Sequence, residues 1–321
     1  MGRKATLVKS ITAVMRFGFL ALLACGILGS LTPIAAASGA AAAAGPVKIG
    51  MARNFFHDVP KLVIAFATEP FKAVMRETTG LTGELAVGGD AFSVARDIER
   101  GKFQLGIFHG FEFAWVQKKH PELKPLMLAV HCKHTVTAYV LVRKEGAPAA
   151  FSNLRGKAIG VPKGTQEHCR LYLERTCRDC ASRNSANPAS CMTPRDYFAH
   201  VITPANVETA LDQLCLGKYD AVLVDSLGLE FYKDLKPGCF NRLQVLSQSE
   251  AFLPPVIAYR EGAISSETLT RFEAGLRSAD KTEMGKETLK MWKITSFDPI
   301  PANFVQQLEA SFKAYPPPEA I

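Results

Sequence analysis

The chain has 321 residues, 48% of them hydrophobic, with 38 basic and 30 acidic side chains and a net charge of +8. Four of the bases, Arg3, Lys4, Lys9 and Arg16, sit at the very start, and without them 34 bases face 30 acids. The remaining bases are scattered, which excludes the basic stripe of a nucleic-acid surface and leaves room for small anions.

MGRKATLVKSITAVMR is cationic and free of acids, and FGFLALLACGILGSLTPIAAASGA is an apolar run ending in small residues. That is the layout of a secretory signal, expected over 1–44, with cleavage after Ala37 or within the alanine run to Ala44. A rival exit is Leu22-Leu23-Ala24-Cys25, a lipobox that would make Cys25 a lipid-anchored first residue. No later stretch has the length that spans a bilayer. Of the eight cysteines seven remain beyond the signal, an odd number in a compartment where disulfides form. CRDCASRNSANPASC predicts a polar surface insertion closed by one bridge, most simply Cys180 to Cys191. The C-x-x-C in it closes a helix instead of opening one, which argues against redox catalysis.

Strand and helix signals alternate along the mature chain, predicting an α/β fold with mostly parallel sheets and helices on their faces. VKIGMAR is a strand, EPFKAVMRETTG a helix ended by Gly80, GELAVGG a strand, SVARDIERGK a helix and QLGIFHG a strand. LKPLMLAV and TVTAYVLVRK follow as strands. A second set holds the strand KAIGVP, the helix HCRLYLERTC, the helix NVETALDQLCLGK, and the strands YDAVLVDS, LQVLSQS and VIAYR. The tail from about Ser266 reads as nearly all helix: SETLTRFEAGLRS, EMGKETLKMWK and PANFVQQLEASFKAY. VARDIERGKFQLGIF and ALDQLCLGKYDAVLV echo each other as helix, Gly-Lys-aromatic and strand, with the glycine as left-handed cap, and suggest two similarly built lobes.

Ligands in open α/β sheets sit beyond the carboxyl ends of strands, which singles out three turns. In FHGFEFAW, His109 could donate to an oxyanion, Gly110 allows close approach, and Glu112 in the first helical turn could accept from an amine or a protonated phosphonate oxygen. The bland alternative is that Glu112 complements the helix dipole while His109 and the aromatics are core. In GVPKGTQEHC, Gly164 permits a tight turn, and the amides of Gln166, Glu167 and His168 open a helix, an anion site before any side chain is added. Its alternative is an ordinary cap by Thr165. Asp225 ends the third strand. His131, His134, Glu167 and His168 with His109 and Glu112 could furnish metal ligands, but none has a recognised ligand spacing, so no metal or cofactor is expected. There is no G-x-S-x-G elbow and no diagnostic Cys-His pair, so an exported acid–base enzyme using His109, Glu112 and Asp225 is the weaker reading.

In order and spacing, EPFKAVMRETTG, SVARDIERGKFQLGIFHGFEFAW, TAYVLVRKEGAPAAFSNLRGKAIGVPKGTQEH, VETALDQLCLGKYDAVLVDS and LPPVIAYR resemble the periplasmic substrate-binding proteins of phosphate, phosphite and phosphonate ABC transporters. The resemblance implies a type II periplasmic binding fold: lobe 1 over 47–138 with a return from 258 to 321, lobe 2 over 139–257, and a ligand cleft between them. TAYVLV and PPVIAY would be the crossovers. It carries the family's pocket turn onto His109, Gly110, Glu112 and Phe113, its anion loop onto Gly164, Thr165 and Gln166, and its acidic strand end onto Asp225, with Tyr139 near the first crossover. Two positions depart from the pattern. The hydroxyl cluster is reduced to Thr165-Gln166-Glu167, and the family's Ser-His pair falls on Asn206-Val207. Either His109 and His168 replace the lost donors, or the solute is zwitterionic and Glu112 reads its amine. The implied function is non-enzymatic capture of a small oxyanion or zwitterion by a periplasmic monomer, for delivery to a membrane permease.

Overall fold

A computed structural model describes residues 46–56, 61–131, 135–184 and 192–318. The signal, the Cys25 lipobox, His134 and Cys191, and so the Cys180–Cys191 bridge, lie outside the described residues. Within them no helix is long and apolar enough to cross a membrane.

Two sheets share one strand order. In lobe 1, β1 (Val47–Met51) pairs in parallel with β2 (Gly83–Val87) and β3 (Leu105–Phe108). In lobe 2, β6 (Ala158–Gly160) pairs in parallel with β7 (His200–Ile202) and β8 (Ala221–Asp225). Each sheet is then continued by two antiparallel strands: β10 (Val256–Arg260) and β4 (Leu123–Val130) in lobe 1, β5 (Ala138–Arg143) and β9 (Leu243–Gln248) in lobe 2. The sheets are therefore mixed, not mostly parallel as the alternation predicts. The cause is the chain exchange. β5 and β10 are the strands that the crossing segments deliver, and each enters its new sheet from the crossover side, running against its parallel neighbours. The crossing segments touch at an isolated antiparallel bridge between Val136 and Phe252.

The echoed motif builds the same corner twice. Helix α2 (Ala91–Glu99) and the later α6 (Val207–Cys215) are each followed by a left-handed glycine, Gly101 at φ 73° and Gly217 at φ 75°, a conformation that favours glycine. The next aromatic turns under its sheet: buried Phe103 lies on Gly50 of β1, and buried Tyr219 on Gly160 of β6. Side chains alternate between faces as a strand requires, so Ala138, Val140 and Val142 of β5 enter one core cluster while Leu141 enters another.

The helices differ from the sequence expectation in two places. α1 runs Lys61–Thr79 with Pro70 inside it, so the proline that the sequence places near a helix start is carried in the interior. α4 runs Glu167–Asn184, extending through CRDCASRN, which is helix and not open insertion; Cys177 on it is fully buried. The other helices are α3 (Gly110–Lys119), α5 (Pro194–Tyr197), α7 (Ser226–Leu235), α8 (Pro237–Phe240), α9 (Ser266–Arg277), α10 (Glu283–Trp292) and α11 (Phe304–Ala314). The tail also holds a strand, β11 (Ser296–Pro299), paired antiparallel to the edge of β4. Its sequence, SFDP, carries little strand propensity, and the partner edge decides its conformation.

The C-terminus ties lobe 1 to lobe 2. α11 leads into Tyr315, whose carbonyl accepts from Trp115 Nε1 at 2.6 Å and whose hydroxyl donates to Glu250 at 2.6 Å. Arg175 of α4 donates to the same Glu250 at 2.7 Å and to the Ala314 carbonyl at 3.1 Å. Phe111, Trp115, Phe252 and Tyr315 accordingly share a core cluster with the β5 and β6 side chains of lobe 2.

Candidate functional site between the lobes

β1 and β3 are in register and end side by side, with Met51 opposite Ile107. Past these ends a single helical turn, Arg53–Phe56, faces the start of α3. His109 is the residue before α3. Its ring stacks on Phe55 at 3.8 Å between centroids and lies parallel to Phe111 at 5.3 Å. Glu112, 1% exposed, turns back on its own helix start: one carboxylate oxygen accepts from the His109 backbone N–H at 3.2 Å and the other from Asn54 Nδ2 at 2.9 Å. The carboxylate thus serves a free helix amide and a neighbouring turn together.

Burial dominates the chemistry of this turn. It raises the Glu112 carboxyl to about 7, with Glu167 and Asp90 adding to the rise and the bonds to His109 and Asn54 opposing it. It lowers the His109 imidazole to about 3, helped by His168 and His131 and opposed by a hydrogen bond to the Asn54 backbone. The imidazole is therefore neutral. Its Nε2 is buried with no protein hydrogen-bond partner. In a neutral imidazole one nitrogen donates and the other accepts, so Nε2 is left free to meet a ligand.

The lobe 2 turn is satisfied differently. Gly164 takes φ 72° with open space around it. Thr165 is buried, yet its hydroxyl donates to the Pro162 carbonyl at 2.6 Å, so it closes its own turn, and Gln166 accepts from the Cys169 amide at the head of α4. His168 is buried beside Phe252, ring centroids 5.3 Å apart, with Nε2 3.4 Å from Cys169 Sγ. Burial lowers its imidazole to about 4, partly offset by Asp225. Asp225 caps α7, accepting from the Gly228 amide at 2.6 Å. Its charge reaches His168 and also His131, whose Nδ1 meets the Lys293 carbonyl at 2.9 Å.

Not every expected residue faces this group. Phe113 lies in the lobe 1 core against Phe108 and Phe304; the aromatic beside His109 is Phe111, two residues earlier. The close approach that Gly110 permits is to the crossover, since a Cβ there would overlap the side chain and carbonyl of Leu253. Tyr139 packs on the outer face of the lobe 2 sheet with Val207 and Leu229. Asn54 and Phe55 escaped the sequence reading, although β1 ends by the same rule that singled out β3 and β8. Among the described residues, the group whose atoms lie close enough to share a metal ion is Glu99, His120 and Glu122. It contains none of the turn residues, and its His120 Nδ1 is 2.5 Å from Glu99.

Comparison with solved structures finds the same fold at low identity. A Xanthomonas citri protein bound to ATP is 13% identical, with a TM-score of 0.57 over 85% of this chain and 97% of its own. PhnD1 from Prochlorococcus marinus, in complex with methylphosphonate, is 10% identical, with a TM-score of 0.55 over 83% and 97%. The binding-protein component of a Pseudomonas aeruginosa phosphonate ABC transporter is 13% identical, with a TM-score of 0.52 over 84% and 87%. No curated protein matches the chain. Residues 57–303 match the family described as the phosphonate ABC transporter periplasmic substrate-binding protein. This span contains lobe 2 and lobe 1 apart from β1, the Arg53–Phe56 turn and α11, and it makes the chain a member of that family, a binding component that supplies a transporter and not an enzyme.

Proposed function

We propose that the ligand is a phosphonate that brings its own hydrogen-bond donor, either an ammonium group or a protonated phosphonate oxygen. The observation that carries this is the buried Nε2 of His109, a ring nitrogen with no protein partner, read here as the acceptor of a neutral imidazole, next to the raised carboxyl of Glu112. The ionisable groups whose charge bears on these two and on His168 are Glu167, Asp90 and Asp225, together with neighbouring histidines. A bare dianion would meet repulsion there, whereas a zwitterion sets its positive end against Glu112 or Asp225. Its anionic end is served by the first-turn amides of α3 and α4. In this reading His109, Glu112, Gln166, His168 and Asp225 bind, Gly164 and Thr165 shape the turn that presents the α4 amides, and Gly110, Phe113 and Tyr139 support the fold around them. The protein works as an exported monomer, and closure about the crossing segments, where Val136 bridges Phe252, presents the loaded form to the permease.

Isothermal titration with 2-aminoethylphosphonate, methylphosphonate and phosphate tests the reading. The aminophosphonate is expected to bind tightest, and His109→Ala to weaken it at least tenfold. Its affinity should rise as pH rises through about 7, because Glu112 holds an ammonium only when ionised. Tighter binding of phosphate than of the aminophosphonate, or an unaffected His109→Ala variant, would overturn it.

A further inference from the structure

Cys215 and Cys239 take no part in the cleft. Cys215 ends α6, is 3% exposed, and belongs to the outer core of lobe 2; Cys239 lies in α8 and packs on the same cluster. Cys215 Sγ approaches the Cys239 carbonyl oxygen at 3.4 Å. The Cys215 thiol is raised by burial and then by the Cys239 thiol beside it, and both thiols are felt by the buried Tyr232 hydroxyl. Arg242 fixes the end of α6, donating to the Cys215 carbonyl at 3.1 Å. Both are free thiols in the structure, with the sulfur of one against the main chain of the other, and a bridge between them requires their Cα atoms to settle about 4.4–6.8 Å apart. Cys177 and Cys180, by contrast, occupy successive turns of the single helix α4, and Cys169 sits against His168.

We propose that Cys215 and Cys239 form a structural disulfide in the exported protein, closing the loop that carries β8, Asp225 and α7. The half-buried Cys239 is the entry point. Its thiolate attacks a disulfide of an exported oxidant protein and forms a mixed disulfide. Cys215 then attacks Cys239 Sγ, and the oxidant leaves as its dithiol, having taken up, by way of solvent, the two protons that Cys215 and Cys239 lose. The pair loses two electrons and the oxidant gains them. The bridge anchors both flanks of the strand end that Asp225 occupies, which links export chemistry to the shape of the cleft.

The test is a non-reducing peptide map of full-length protein recovered after export, with alkylation before digestion and a melting curve with and without reductant. The expected map holds one Cys215–Cys239 cross-linked peptide. Reduction should lower Tm by roughly 5–10 °C, a range set by the usual worth of a bridge closing a loop of this size. The Cys215→Ser/Cys239→Ser variant should melt with the reduced wild type and ignore reductant. If it does not fold, the map and the wild-type melting curves still decide. Separate alkylated Cys215 and Cys239 peptides, or a bridge confined to Cys180 and Cys191, would overturn the proposal.

Discussion

His109 to Glu112 in lobe 1 and Gly164 to His168 in lobe 2 both join a strand to a helix beside the crossovers, yet they dispose of their polar groups in different ways. The lobe 1 turn draws partners from outside itself: Asn54 holds the carboxylate, and Phe55 stacks on the imidazole. One ring nitrogen is left over, His109 Nε2. In lobe 2 the Thr165 hydroxyl is spent on Pro162 three residues back. The first turn has an unfilled valence at its centre, and the second offers mainly the amides that any helix start offers. The proposed function accordingly assigns chemical selectivity to lobe 1 and generic attraction for an anion to lobe 2.

The largest effect that would break this contrast is expected from Glu112→Ala. It leaves the His109 N–H and the Asn54 amide without acceptors in a buried place, at about 1–3 kcal/mol for each orphaned group. Unfolding in denaturant should show a loss of roughly 2–5 kcal/mol. Glu112→Gln, which keeps one carbonyl acceptor, should lose less. A Glu112→Ala protein within about 0.5 kcal/mol of wild type would mean that water replaces the carboxylate, and the turn would then be no more demanding than its lobe 2 counterpart.

A smaller effect separates the two turns by pH. His109 and His168 are lowered to about 3 and about 4 in the folded protein. The unfolded chain takes up their protons below about 6.5, so their contribution is full above that pH and is lost as pH falls. Glu112 works the other way. Raised to about 7, it contributes fully below its unfolded value, and that contribution drains as pH rises through 7. Between about pH 5 and 6 the two histidines add stability with rising pH while Glu112 subtracts, each at about 1.4 kcal/mol per pH unit. His168→Phe should flatten the slope by that amount, and Glu112→Gln should steepen it by the same. Parallel stability curves for wild type and His168→Phe would show that His168 is not held neutral in the folded state.

Much of this arrangement was legible in the sequence because it follows from where strands stop. FHGFEFAW and GTQEH are found at strand ends by pattern alone, and both do face the crossovers. Which aromatic points inward was not legible, since residues two apart on a helix lie on opposed sides and FHGFEFAW offers Phe111 and Phe113 equally. Only the packing of Phe113 against Phe304, a residue from the far tail, settles it. The direction of β5 and β10 was hidden for a similar reason: a strand's local residues do not encode which sheet a crossing chain joins. The role of Gly110 depends on Leu253, which no local pattern connects to it.

The smallest effect is the sharpest test of lobe 2. Gly164 sits at φ 72° in open space, so Gly164→Ala meets no neighbour and costs only the left-handed strain of a Cβ, about 1 kcal/mol. If lobe 2 supplies amides alone, the substitution leaves their direction intact, and ligand affinity should stay within about twofold of wild type. Thr165→Ala should behave alike, because the lost bond to Pro162 is worth about 0.5–1.5 kcal/mol of stability and the helix start retains its amides. A tenfold loss of affinity in Gly164→Ala, with stability down by only the expected amount, would show that ligand touches the Gly164 main chain. Selectivity would then be shared between the turns, with the lobe 2 loop reading its ligand by backbone shape while lobe 1 reads it by lone pair and charge.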